Sequence, residues 1–243
     1  MADLTRAGIA MAALRIADEH GAKGFTMRAV ADSLGVTPMA LYHHVKDKAA
    51  LVGLLVDSVI EGRPLPPPTG SWQEDLWEMA RWMREITLAH PAVSRLRSEH
   101  HVWTASVFPM TERWISVWQQ SGLELRDALL AASATSSTII GFVEQELVLQ
   151  ELRPPDASML ASFPSARMAF GPKRDGTREF ELVVRSVIEG VHSRLSRSLD
   201  AEVARPSTRQ NRESPRSRPR STASQAKRDG LPRRKAAKPA GRS

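Results

Sequence analysis

The sequence predicts an all-α protein. It should have an N-terminal head of three helices in a helix–turn–helix arrangement, a larger C-terminal helical domain, and a disordered basic tail. Three observations carry that prediction. Residues 25–55 hold short apolar-periodic segments broken at Gly35 and capped again at Thr37-Pro38. Residues 71–199 repeat large apolar side chains at helical spacing between proline and glycine breaks. From Arg205 on, Leu231 is the only large apolar residue, so the segment cannot offset the entropy of ordering.

The elements follow in order. Thr5 to His20 is a helix with Ile9, Ala13, Ile16 and Ala17 on one face, ended by Gly21 and Gly24. Phe25 fills the space between it and the next two helices. Thr26 can cap a helix whose core face is Val30, Ala31 and Leu34, and Gly35 ends it in a left-handed conformation. Thr37 caps the next helix with Pro38 at its first position, where the missing N–H costs nothing. That helix is expected over Pro38 to Val45, with Leu41 and Val45 inward. Met39, Ala40, Tyr42 (the only tyrosine), His43 and His44 spread over the other faces. Asp47 caps a connecting helix marked by Leu51, Leu54, Leu55 and Val59. Residues 1–62 thus form one unit.

Gly62, Pro64, Pro66-Pro67-Pro68 and Gly70 read as a stiff linker. Ser71 and Glu74 form a capping-box pattern that opens a helix through Met83 to His90. A short helix over Ala92 to Ser98 follows, then one begun by Pro109 and running to Ser121-Gly122. Residues 124–152 are long, helical and rich in small side chains. Residues 153–176 read as a loop. The last helix, Thr177 to Leu199, carries Phe180, Val184, Val187, Ile188, Val191 and Leu195. Its wide stripe and the small residues of 124–152 make these two helices the expected dimer interface.

Residues Gly24-Phe25-Thr26, Arg28, Val30-Ala31, Leu34-Gly35-Val36 and above all Leu41-Tyr42-His43-His44-Val45-Lys46-Asp47-Lys48 resemble the TetR family of bacterial transcriptional regulators. The string is closest to the tetracycline-repressor branch. The match is specific over residues 5–60 and weaker over 71–199. The resemblance implies a homodimer with DNA-binding heads at 1–62, a ligand-binding and dimerisation domain at 71–200, and a tail at 205–243 outside the family pattern. It implies double-stranded DNA as partner, contacted by Thr26, Arg28, Thr37, Pro38, Met39, Ala40, Tyr42, His43, His44 and Lys48. Pro38, Met39 and Ala40 depart from the branch; methyl-rich side chains there suit thymine methyls.

All six tryptophans fall within residues 72–118. They read either as core or as the lining of an aromatic cavity for an unknown small apolar or aromatic effector. The lining reading names Met79, Trp82, Met83, His100, Trp103, Trp114 and Trp118. Trp103-Thr104-Ala105 replaces the threonine-arginine-proline of the tetracycline branch, so tetracycline itself is not expected. Neither a cofactor nor a metal is expected, although Glu99, His100 and His101 adjoin.

Charge bears on the alternatives. The chain is +7, but residues 205–243 hold thirteen Lys/Arg against two acids, net +11, which leaves −4 elsewhere. Residues 1–62 have six Lys/Arg against seven acids. The head therefore needs placed residues and helix N-termini rather than bulk charge. The expected function is a ligand-responsive DNA-binding transcriptional regulator, a repressor released from a palindromic operator by a small molecule; the alternative is a nucleoid-type DNA binder without small-molecule control, driven by the tail. No catalytic constellation is visible, so an enzyme is not expected. There is no cysteine, no signal-peptide pattern and no run long enough to span a bilayer, which predicts a cytoplasmic protein.

Overall fold

The computed structural model describes residues 4–170 and 175–203. Every regular element among them is a helix. The tail expected to be disordered over 205–243 lies outside the described residues.

The head is α1 (Arg6–Gly24), α2 (Met27–Ser33), α3 (Pro38–Tyr42) and α4 (Lys48–Glu61). Each begins at a side-chain cap. The hydroxyls of Thr5, Thr26 and Thr37 accept from the N–H groups of Gly8, Ala29 and Ala40 at 3.1, 3.0 and 3.2 Å, and Asp47 accepts from Ala50 at 2.8 Å. Each cap contributes about 1 kcal/mol. α1 runs past His20, because Gly21 kinks it (φ 65°) and one further turn follows. Ile9, Ala13, Phe25, Leu41, Leu51 and Leu55 are fully buried together.

The body is α5 (Trp72–Ala89), α6 (Pro91–Glu99), α7 (Val107–Gln120), α8 (Leu125–Glu151), α9 (Pro164–Phe170) and α10 (Gly176–Val203). α7 begins two residues before the expected Pro109, which sits in its first turn, where a proline breaks no helical hydrogen bond. α9 lies inside the stretch read as loop. It is seven residues long and buries none of them, so it leaves no apolar stripe in the sequence. Ser71 caps α5 as predicted, accepting from Glu74 N–H at 3.5 Å. The reciprocal half of the box is absent: the Glu74 carboxylate instead pairs with Arg185 on α10 at 2.7 and 3.1 Å.

Two apolar cores divide the chain. The first is the head's, but α6 and α7 contribute Val93, Leu96 and Val107 to it. The second joins α5, α7, α8 and α10 through Leu76, Met79, Trp118, Ile139, Phe180 and Ile188, among others. Arg84 on α5 ties α8 to this core by a bidentate pair with Glu146 at 2.6 and 2.8 Å while lying over the Phe180 ring. Met1–Ala204 form one compact unit. Among the described residues no helix is long and apolar enough to cross a membrane.

Candidate nucleic-acid interface and ligand cavity

The turn between α2 and α3 is fixed by backbone geometry. Val36 N–H donates to Ala31 O and Gly35 N–H to Asp32 O, both at 3.1 Å, with Gly35 at φ 67°. This is a Schellman end, and glycine occupies its left-handed position without strain. A Cβ on Gly35 would meet nothing within 4 Å, so it is the dihedral alone that favours glycine.

α3 is shorter than expected. It ends at Tyr42 rather than Val45, and His43 and His44 form a turn closed by His44 N–H to Leu41 O at 3.0 Å. The Leu41 carbonyl also takes Val45 N–H at 3.0 Å. Leu41 and Val45 are buried. Their burial leaves one outward surface. Met39 is 68 % exposed and Tyr42 47 % exposed, although both are large and apolar in part. Pro38, His43 and His44 are exposed beside them and Ala40 is half-buried. Thr26 and Thr37 hold the caps of α2 and α3. The Arg28 side chain is largely exposed, 3.7 Å from Asp32. Lys48 is half-buried and lies over the Phe25 ring, its Nζ 5.8 Å from the centroid.

Below the head is a cavity of about 380 Å³. α4 supplies Val56, Val59 and Ile60 to its wall; α5 supplies Trp82, Met83 and Ile86; α6, α7 and α8 close the rest. Polar groups gather on α6 and the loop after it, with Ser94, Arg97, Ser98 and His101. Of the seven predicted lining residues, Trp82, Met83 and Trp103 line it. Met79, Trp114 and Trp118 do not. They occupy the face of α5 and α7 turned to α8 and α10, and the Trp114 indole donates to Ala132 O at 3.2 Å. Met83 and Trp114 do meet at a smaller cavity of about 220 Å³. His100 also lies off the wall, as the half-buried C-cap of α6; its neighbour His101 takes the lining place. The α4 wall was invisible in the sequence, because its stripe reads equally as head core. Arg97 and Ser98 carry no pattern that separates lining from surface. Among the described residues, no three His, Asp or Glu side chains converge to hold a metal ion.

Three side chains beyond α4 hydrogen-bond to the linker and to α4. The Trp82 indole donates to Arg63 O and Pro64 O. Arg113 on α7 donates to Pro66 O. Ser106, in the loop at the cavity mouth, donates to Asp57 of α4 at 2.5 Å.

Residues 9–55 match the family of bacterial regulatory proteins called tetR, and residues 63–195 match the tetracyclin repressor-like C-terminal domain. The chain belongs to the TetR family. The tetracycline repressor protein class E of Escherichia coli is 29% identical over an alignment of 187 residues that covers 70% of this chain and 87% of that protein. BioQ of Mycobacterium smegmatis is similar in structure with a TM-score of 0.63 at 27% identity, over 79% of this chain and 99% of that one. Streptomyces coelicolor ActR in complex with (S)-DNPA gives 0.61 at 26% identity, with the same coverage. The TetR-family assignment spans head and body alike.

Proposed function

We propose that this TetR-family protein is a homodimeric transcriptional repressor that binds double-stranded DNA through its heads and releases it when a small molecule fills the cavity. Residues 1–62 bind DNA, and residues 71–200 bind the effector and pair the protomers. Tyr42, Met39, His43 and His44 meet the major groove, while Thr26, Thr37, Arg28 and Lys48 hold phosphates at its edge.

The observation that carries the reading is a shared wall. Val56, Val59, Val93 and Val107 line the cavity and belong to the head core. An occupant cannot press on them without pressing on the packing that orients α4. Cores resist gradual deformation, so the response is a shift between two packings with different head spacing. A switch from 1:99 to 99:1 requires about 5.5 kcal/mol of differential affinity between the two. The relatives support the same direction: one is named a tetracycline repressor and another was solved with a small molecule bound.

Footprinting on genomic DNA tests this. A protected inverted repeat with half-sites about one helical turn apart is expected. Binding driven only by total charge, equal on random DNA of the same length, would refute the specific-repressor reading and favour the tail-driven alternative.

A further inference from the structure

The mouth of the cavity is built at a conformational cost that nothing in the packing explains. α6 ends in a second Schellman turn: Val102 N–H donates to Arg97 O at 3.1 Å and His101 N–H to Ser98 O at 3.3 Å. The left-handed position, held by glycine after α2, is here His101 at φ 52°. It is the one non-glycine residue with positive φ among the described residues. A side chain with a Cβ is strained there, and such strain gathers at functional sites. His101 is exposed, so burial does not reward it.

The turn brings Trp103 back toward α6. Its ring is 71 % exposed and stands 5.9 Å from the Arg97 guanidinium carbon. Arg97 lines the cavity and has no ion-pair partner among the described residues, whereas its neighbour Arg95 takes Glu151. Its guanidinium keeps planar N–H donors for an incoming group. The other charged wall groups are placed differently. His90 is engaged by Asp18 at 3.1 Å, and Glu144 is exposed on α8, shared with a neighbouring cavity. Apart from the neutral hydroxyls of Thr87, Ser94 and Ser98, the remaining wall is apolar and aromatic.

Accepting the cavity as the effector site, we infer that the effector is a planar aromatic anion, with its charged oxygens on Arg97 and His101 and its rings between Trp103 and the apolar wall. Arg97 and His101 are the selecting residues, and His101 stands in place of glycine because its side chain meets the ligand.

Two fluorescent probes share one ring system and differ in charge: 1-anilinonaphthalene-8-sulfonate and neutral N-phenyl-1-naphthylamine. The intact protein should bind the sulfonate more tightly. Arg97→Gln should weaken the sulfonate about tenfold, the scale of a lost charge-assisted contact, and leave the neutral probe unchanged. His101→Gly should raise the melting temperature yet weaken the sulfonate. Arg97→Lys, with helicity checked by circular dichroism, guards against a folding defect in the glutamine variant. Equal binding of both probes, equal loss of both in Arg97→Gln, or tighter binding of the cation rhodamine 6G would overturn the inference. Arg97-dependent binding without change in operator affinity would spare it and sink the switch; operator release by neutral compounds alone would do the reverse.

Discussion

The Trp82 indole N–H is shared by two consecutive carbonyls, Arg63 O at 3.2 Å and Pro64 O at 3.0 Å. One ring thereby lines the cavity and holds the start of the linker. The linker is not a loose tether, since Arg113 also holds Pro66 O and Thr69 donates twice to the buried Asp75.

Trp82→Phe keeps an aromatic wall and removes the donor. Two carbonyls then lose their partner, which should cost about 0.5–1.5 kcal/mol in thermal or urea unfolding. The linker should gain freedom, so an effector should release operator less completely. Unchanged unfolding together with an unchanged ratio of operator affinities, with and without effector, would refute the role.

Tyr42→Ala should weaken operator binding by about 1–3 kcal/mol, the range for a good base contact or one mismatched pair. Helicity and melting temperature should hold, because the buried Leu41 and Val45 carry the packing of α3. Anisotropy titration against the footprinted site measures it.

The dimer gives a sharper test than the sequence allowed. Charged substitutions at Val187 and Val191 follow from the apolar stripe of α10. Val191, however, packs against the protomer's own second core, so a charge there would damage the protomer itself. α8 instead presents Leu130, Ala134, Ser137, Gly141 and Val148 along one exposed stripe, small in the middle. A Cβ at Gly141 meets nothing within 4 Å. Gly141→Glu should keep or raise protomer stability, since glycine is a poor helix former, and should yield monomers in sedimentation that lose the operator. A dimer of normal affinity would place the interface elsewhere.

The Glu74–Arg185 pair sets a pH dependence. Its hydrogen bond to Arg185 holds the Glu74 carboxyl below the ordinary glutamate range. A depressed folded value stabilises the protein above the unfolded pKa of about 4.3, and that part is lost as pH falls through the folded value. Both side chains are partly exposed, so the effect is small. Glu74→Gln should melt earlier than the parent at pH 7, with the gap closing in acid below that range. A gap constant with pH would exclude the ion pair as its source.

The head was legible because its signals are local. Thr5, Thr26, Thr37 and Asp47 cap where their positions predict, and Gly35 turns the chain in the left-handed conformation that glycine adopts without strain. The cavity was legible only in part. Six clustered tryptophans pointed to the right segment, yet periodicity does not say which neighbour a helix faces. Trp114 and Trp118 went to the second core, and Trp82 and Trp103 to the wall. Arg97 became visible only through the turn that folds Trp103 over it. That turn depends on a left-handed histidine, with no glycine in the sequence to announce it.

The division of the cavity between a shared wall and a separate mouth sets how easily the protein can be retargeted. Val56, Val59, Val93 and Val107 serve two masters, so enlarging or shrinking any of them to admit a new compound also disturbs head orientation. Arg97, His101 and Trp103 belong to neither core. Libraries confined to those three positions should alter what the protein senses and leave intact how it answers, which makes the mouth the place to build a biosensor.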